Sequence, residues 1–303
     1  KFNKSFRDFK GKSYLNTMIY ETAKNYKPDL ILLGHSYDIE NETLERIKDY
    51  SKNTIISQWF EDHLADTGPD FSSNRKKLLK YDDFIKSNFI TTHPSTLDFL
   101  KKKNNFHYLP IPVDKNIEKL KIYENKNQIC DVFFSMSHGV NRGKLKRDKV
   151  DERHNFISDL ITECPNIIFD IYGYKNREPV WAEDFYKVIV NSKMALNLTR
   201  GRPLKYLTSN RIASLIGNGL LTFIDKKTKL NNFFNNNEVV FYSGLQDLAD
   251  KINYYKSNDL SRIKIAKNGR KKYFDLFECQ KVANYIISKS FDREIPKILK
   301  WMD

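Results

Sequence analysis

Ser192–Asp225, SKMALNLTRGRPLKYLTSNRIASLIGNGLLTFID, is the stretch whose reading decides the fold. Met194–Thr199 is a short apolar run of the length of a buried strand. Arg200–Ser209 is a basic, polar loop broken by Gly201 and Pro203. Asn210–Gly217 has helical periodicity, with Thr208 or Ser209 in position to cap it. Gly217 and Gly219 stop that helix, and Leu220–Ile224 is the next buried strand. A strand, a basic loop and a helix N-terminus together favour an anion, because free N–H groups and the helix dipole point at it. Arg200, Arg202 and Arg211 would each offer a forked contact to phosphate oxygens. The same pattern also describes an ordinary strand–helix–strand unit with a solvated loop, and spacing alone does not separate the two.

Working outward, the alternation of helix and strand continues on both sides. Downstream, Val239–Tyr242 reads as a strand, and Leu245–Tyr255, Ser261–Tyr273, Cys279–Phe291 and Ile295–Met302 read as helices. Upstream, Trp181–Asn191 is helical, Ile167–Tyr172 is a strand ending at Gly173, and Asp151–Glu163 is a helix. Cys130–Ser135 is a strand followed by the basic loop Ser137–Lys149. Lys115–Gln128, charged and poor in large side chains, is a linker. Before it stand helices at Tyr14–Tyr26, Asn41–Lys52, Asn74–Tyr81 and Pro94–Lys103, the last capped by Thr92. Strands are expected at Leu30–Leu33, Thr54–Ser57 and Tyr108–Pro110, with short extended pieces at Phe84–Ser87 and Phe89–Thr91. Lys1–Lys12 reads as a loose basic arm or as the end of an element that begins upstream. Repeated alternation of this kind predicts parallel sheets covered by helices, in two α/β units.

The 303 residues allow two domains of ordinary size, and 40% hydrophobic with 14% aromatic residues can fill two cores. The formal charge is +14, carried mostly by Lys spread along the chain. Such a surface favours nucleotide phosphates, anionic glycans or lipid headgroups. Cys130, Cys164 and Cys279 are odd in number and lack CxxC spacing, which fits a reduced, cytosolic protein. No apolar run approaches the roughly 18 residues that span a bilayer.

Ligands of doubly wound sheets sit beyond the C-terminal ends of the strands. In the first half those positions hold His35, Ser36, Glu61, Asp62, His63, Thr92 and His93. In the second they hold Ser135, Ser137, His138, Gly139, Arg142, Tyr172, Gly173, Arg200, Ser209, Asn210 and Arg211. The first set offers carboxylates and imidazoles, suited to proton transfer. The second offers glycines, hydroxyls and arginines, suited to phosphate. Each also has a plain structural reading: Glu61 and Asp62 as capping or solvated acids, His35 and His63 as hydrogen-bonding residues, His93 as a turn former before Pro94. No HExxH or Cys/His cluster supplies a zinc site. GxxxxGK[ST], GxSxG and a complete GxGxxG are all missing.

The chain resembles the CgeB-like (spore-maturation-protein-like) branch of GT-B glycosyltransferases. The likeness is carried by KPDLILLG at Lys27–Gly34, ISQWFEDH at Ile56–His63, YLPIPVD at Tyr108–Asp114 and CDVFFSMSHG at Cys130–Gly139, with Arg153 opening the next helix. FDIYGY at Phe169–Tyr174, SKMALNLT through SNRIASLIGNGLL at Ser192–Leu221, FFNNNEVVFY and IAKNGRKKYF extend it. The resemblance implies a GT-B fold, two Rossmann-like domains with parallel sheets facing a cleft. It implies an acceptor-side domain over 1–114 that lacks the usual first strand, a linker over 115–128 and a nucleotide-sugar domain over 129–283. Helices over 284–303 would cross back.

It further implies a nucleotide-sugar as substrate, no cofactor and no obligatory metal. Donor contacts would come from Ser137, His138, Gly139, Tyr172, Gly173, Ser209, Asn210 and Arg211, with Arg142 and Arg200 beside them. Asp62, then His63 and Glu61, would be the base or acceptor-orienting group. Thr208–Gly219 contains no acid, where many retaining GT-B enzymes carry a glutamate pair. The expected activity is sugar transfer to a glycan, lipid-linked or protein acceptor, in surface polysaccharide synthesis at the cytoplasmic face of an anionic membrane. A non-catalytic nucleotide- or sugar-binding module of the same shape is the alternative. A nucleic-acid-binding protein is disfavoured, because the basic loop lacks the exposed aromatics that stack on bases.

Overall fold

A computed structural model describes residues 4–66, 68, 70–136 and 151–295, with side chains from residue 11 onward. Two parallel sheets organise it. The first contains β1 (Leu30–Gly34), β2 (Ile55–Phe60), β3 (Asn88–Ile90) and β4 (Phe106–Tyr108), in the order β1-β2-β3-β4. The second contains β5 (Cys130–Ser135), β6 (Phe169–Tyr172), β7 (Ser192–Asn197), β8 (Leu221–Asp225) and β9 (Val240–Tyr242), in the order β6-β5-β7-β8-β9. Its chain direction across the sheet reverses between β5 and β7, and that is where a doubly wound sheet opens a crevice for ligands.

The central strands of the second sheet are buried on both faces, which is why they read as unbroken apolar runs. Val132, Phe134, Met194, Leu196, Leu221 and Phe223 face one core layer, with Ile157 and Leu160 of α4 (Glu152–Glu163) and Leu248 and Ile252 of α7 (Leu245–Ser257). Asp151 caps α4 by accepting from the Arg153 N–H at 2.9 Å. Phe133, Ala195 and Leu215 face the opposite layer with Phe185 of α5 (Ala182–Ile189).

Several elements depart from expectation. The basic arm is not loose: α1 begins at Lys4 and runs to Tyr26. Its buried Asn16 docks it, accepting from Glu40 N–H at 2.8 Å and from the Thr43 hydroxyl at 2.7 Å at the start of α2 (Asn41–Tyr50). β2 runs on to Phe60 instead of ending at Ser57. α3 (Phe71–Leu78) starts and ends three residues earlier than expected. Pro94–Lys103 is not a helix but two 3-10 turns, Pro94–Thr96 and Asp98–Leu100, and the first is capped by His93 rather than Thr92. The extended backbone of Leu97 between them, φ −112° and ψ 100°, breaks the helix and lets both Leu97 and Leu100 enter the core. The expected helix over Ile295–Met302 falls almost wholly outside the described residues.

Two crossings join the halves. Val113 N–H donates to Phe277 O and Cys279 N–H donates to Val113 O, each at 2.9 Å, so the outgoing and returning chains run side by side. The return is made by α8 (Asp259–Phe277) and α9 (Cys279–Ser290). α9 lies on the first sheet, where Val282 and Tyr285 pack with Phe89 and Leu109, and the buried hydroxyls of Ser57 and Ser290 meet at 2.8 Å.

Candidate active site between the sheets

The segment from Leu198 to Asn210 leaves the second sheet and docks on the first. Leu204 and Leu207 are buried with Phe60, Leu78, Ile90 and Leu100. Arg202 pairs with Asp66 at 2.6 Å, and Arg200 pairs with Asp70. His63 receives the segment: its Nε2 donates to Arg202 O at 3.2 Å and its Nδ1 accepts from Ala65 N–H at 3.2 Å. Burial lowers the His63 pKa, so the ring is held neutral in this clasp. Arg200 and His63, expected at the donor and the reacting centre, therefore join the two halves.

At the end of that segment α6 (Arg211–Gly217) begins. The expected capping bond from Thr208 or Ser209 is not formed, and Asn210 stands at the cap position without one. The Ser209 hydroxyl is instead buried without a partner. So are both polar atoms of the Asn197 side chain, at the C-terminal end of β7, and Nε of Arg211. Arg211 is otherwise fixed: its guanidinium lies over the Phe134 ring, 4.9 Å from the centroid, and donates to Leu198 O at 2.6 Å. Burial, and then the nearby Arg153, lower its pKa to about 9, which leaves it charged at neutral pH. A buried polar atom without a partner costs about 1–3 kcal/mol.

A cavity of about 310 Å³ opens at Arg211, walled by Ser135 at the end of β5 and Met136 after it, by Trp181, Phe185 and Tyr186 of the α5 region, and by Asn210, Arg211 and Ser214. Trp181 is 61% exposed at its mouth. These three aromatics were not among the expected site residues; their signal was the aromatic spacing of WAEDFY at a helix start. Gly173 sits at the same strand ends with φ +69°, and a Cβ there would stand 2.1 Å from Met136 O. Tyr172 packs against Phe133, and Arg177 covers its ring at 3.7 Å. Ser137, His138, Gly139 and Arg142 lie outside the described residues.

A second cavity of about 430 Å³ adjoins the first, sharing Tyr186, Asn210 and Ser214 with it. At the junction Glu61, the first residue after β2, reaches across the molecule. Its Oε2 accepts from Asn210 Nδ2 at 2.8 Å and its Oε1 faces His35 Nε2 at 2.8 Å. The Tyr37 hydroxyl lies 3.0 Å from His35 Nδ1 and 3.5 Å from Asp62 Oδ2. Burial, then the Asp62 charge, push the Tyr37 pKa up to about 12, so it remains a phenol and a donor. The Tyr37 hydroxyl donates to Asp62, and the His35 ring sits between Tyr37 and Glu61 with one ring nitrogen facing each. His35 holds this position at φ 49°, a left-handed conformation that non-glycine residues rarely adopt. Asp62, the expected first choice for the base, stands behind Tyr37. Among the described residues no group of three His, Cys, Asp or Glu side chains is arranged to hold a metal ion.

Residues 149–288 match the family model described as glycosyl transferase-like. HepE from Anabaena, solved with UDP and glucose, superposes with a TM-score of 0.63 at 14% identity, over 92% of this chain and 81% of that one. The fold is GT-B. Sucrose-phosphate synthase from Thermosynechococcus elongatus shares this GT-B architecture at a TM-score of 0.57 and 9% identity, over 96% and 80% of the two chains. TarM from S. aureus does so at 0.59 and 12%, over 91% of this chain and 58% of its own. No curated protein sequence matches the chain. In this GT-B frame the 310 Å³ cavity lies at the strand reversal of the second sheet, and Glu61 of the first lines the 430 Å³ cavity that adjoins it.

Proposed function

We propose that the protein is a glycosyltransferase that takes a sugar from a UDP-sugar. The observation that carries this is the Glu61–Asn210 contact, which sets a carboxylate of one sheet beside the Arg211 pocket of the other. The glycosyl transferase-like match over residues 149–288 supports the activity, and the neighbours solved with UDP and UDP-glucose support the nucleotide. In this reading the diphosphate meets Arg211, Ser209 and Asn197, and the base stacks on Trp181. Such stacking is worth about 1–3 kcal/mol.

The reaction then assigns each group a task. The acceptor oxygen forms the new bond to the sugar C1 while the bond from C1 to the diphosphate oxygen breaks. The electron pair leaves with UDP, where the Arg211 charge stabilises it, the task a divalent metal performs elsewhere. The acceptor proton passes to Glu61, whose oxygens retain lone pairs beyond those used by His35 and Asn210. Asp62 accepts from Tyr37, and Tyr37 and Glu61 hold the His35 ring from either side. The acceptor is a glycan, a lipid-linked sugar or a protein, and surface-polysaccharide synthesis beside an anionic membrane is the setting that suits the basic chain.

Calorimetric titration with UDP, GDP, CMP and dTDP, with and without EDTA, tests the donor assignment. Saturable UDP binding, indifferent to EDTA and weakened at least tenfold in Arg211→Ala, is expected. Equal binding by wild type and Arg211→Ala, or none to any nucleotide, would contradict it.

A further inference from the structure

The 430 Å³ cavity is unlike the rest of this chain. Leu32, Trp59, Leu109, Ile111, Val282 and Ile286 form much of its wall, and among the described residues no Lys or Arg lines it, in a chain of net charge +14. Two of its polar side chains, Glu118 and Thr91, are already engaged. Glu118 Oε2 accepts from Asp114 N–H at 2.9 Å, and its Oε1 lies 3.5 Å from the Tyr186 hydroxyl. The Thr91 hydroxyl donates to Glu61 O at 3.2 Å. The polar end that remains is the Glu61–Asn210 junction. A free oligosaccharide would bury many hydroxyls here against few partners, at a cost for each one left unpaired. A hydrocarbon chain has no such cost, and the volume lies within the usual range for a pocket that encloses a small ligand. Two of the apolar side chains, Leu32 at 40% and Ile117 at 52%, are exposed at its rim.

We propose that this chamber holds the alkyl chain of a lipid-linked acceptor, running from Glu61 towards α9 and the Leu109–Pro112 segment. The placement of the accepting hydroxyl at Glu61 rests on the transferase reading above; the occupancy of the chamber by hydrocarbon does not. Leu32 and Ile117 then set acceptor specificity without touching the donor.

The test is calorimetry with methyl, butyl, hexyl and octyl β-D-glucopyranosides, below their micelle-forming concentrations and at saturating UDP. Each methylene buried from water is worth about 0.8 kcal/mol, so affinity rises up to about fourfold per methylene until the chamber is full. In Leu32→Asn and Ile117→Asn, both at exposed positions and expected to fold, the slope of affinity against chain length flattens while UDP affinity stays within about twofold. A flat series in the wild type with UDP bound normally overturns this inference and leaves the donor assignment standing. A slope unchanged in both variants also overturns it, since the chain would then bind elsewhere. A slope that flattens in the variants of a protein that binds no UDP supports the chamber and removes the transferase reading instead.

Discussion

Two residues, His93 and Gly173, have tasks that can be measured apart from turnover. His93 accepts from Ser95 N–H through Nδ1 at 3.2 Å, and burial, then Lys205, lower its pKa from 6.5 to about 4. The unfolded chain therefore binds a proton below pH 6.5 that the folded chain refuses until about pH 4. Stability from this residue is complete above pH 6.5 and is lost as the pH falls through that window. Urea unfolding of His93→Gln should show a shallower loss between pH 6.5 and 4 than the wild type does; parallel curves would remove His93 from the account. Gly173 is at φ +69° with Met136 O where a Cβ would stand, so Gly173→Ala should cost about 1–3 kcal/mol and weaken UDP binding together. Unchanged melting and binding would show that the strand ends can part freely. The sequence named many of the residues that meet here but not their roles. Glu61 was visible only as one acid among WFEDH, because its partner Asn210 lies 149 residues away and no local pattern links them. Trp181 was hidden for the opposite reason, since an aromatic at a helix start reads as core.

At the scale of elements, the segment Leu198–Asn210 shows what a local reading captures and what it misses. The strand before it, the helix after it and its basic character were all legible. Its destination was not: the arginines that suggested phosphate are paired with Asp66 and Asp70 of the other half, and Leu204 and Leu207 are buried there. Exposed ion pairs contribute about 0.2–1 kcal/mol, and a buried Leu→Ala change costs about 2–5 kcal/mol. Chemical denaturation should therefore find Leu204→Ala and Leu207→Ala far more damaging than Arg202→Ala. The reverse order would mean that charge, not packing, holds the segment. β2 was cut short by the same kind of blindness. Gln58 looks like the end of an apolar strand, yet it is buried within it, donating to Leu78 O and Asn88 Oδ1 at 2.6 Å each. That extension places Glu61 at the strand end, where the site is.

For the whole molecule, alternating helix and strand were enough to give two parallel sheets, and the strand reversal between β5 and β7 marks where a crevice opens. The pairing of the halves was less accessible, because it rests on residues distant in sequence: the crossing at Val113 and Cys279, the α9 contact with β2, and the Tyr108, Tyr206 and Phe233 rings that pack between them. The molecule is thus a frame that sets a carboxylate of one half beside the Arg211 pocket of the other. That claim separates binding from chemistry. The most direct measurement is UDP release from a UDP-sugar, with octyl glucoside or water as acceptor, in wild type and Glu61→Gln, alongside UDP affinity in both. Removing a general base typically costs a factor of about 10²–10⁴. The account predicts a loss of that order with UDP affinity within about threefold. Undiminished release in Glu61→Gln, or loss of UDP binding in proportion to the lost turnover, would contradict it.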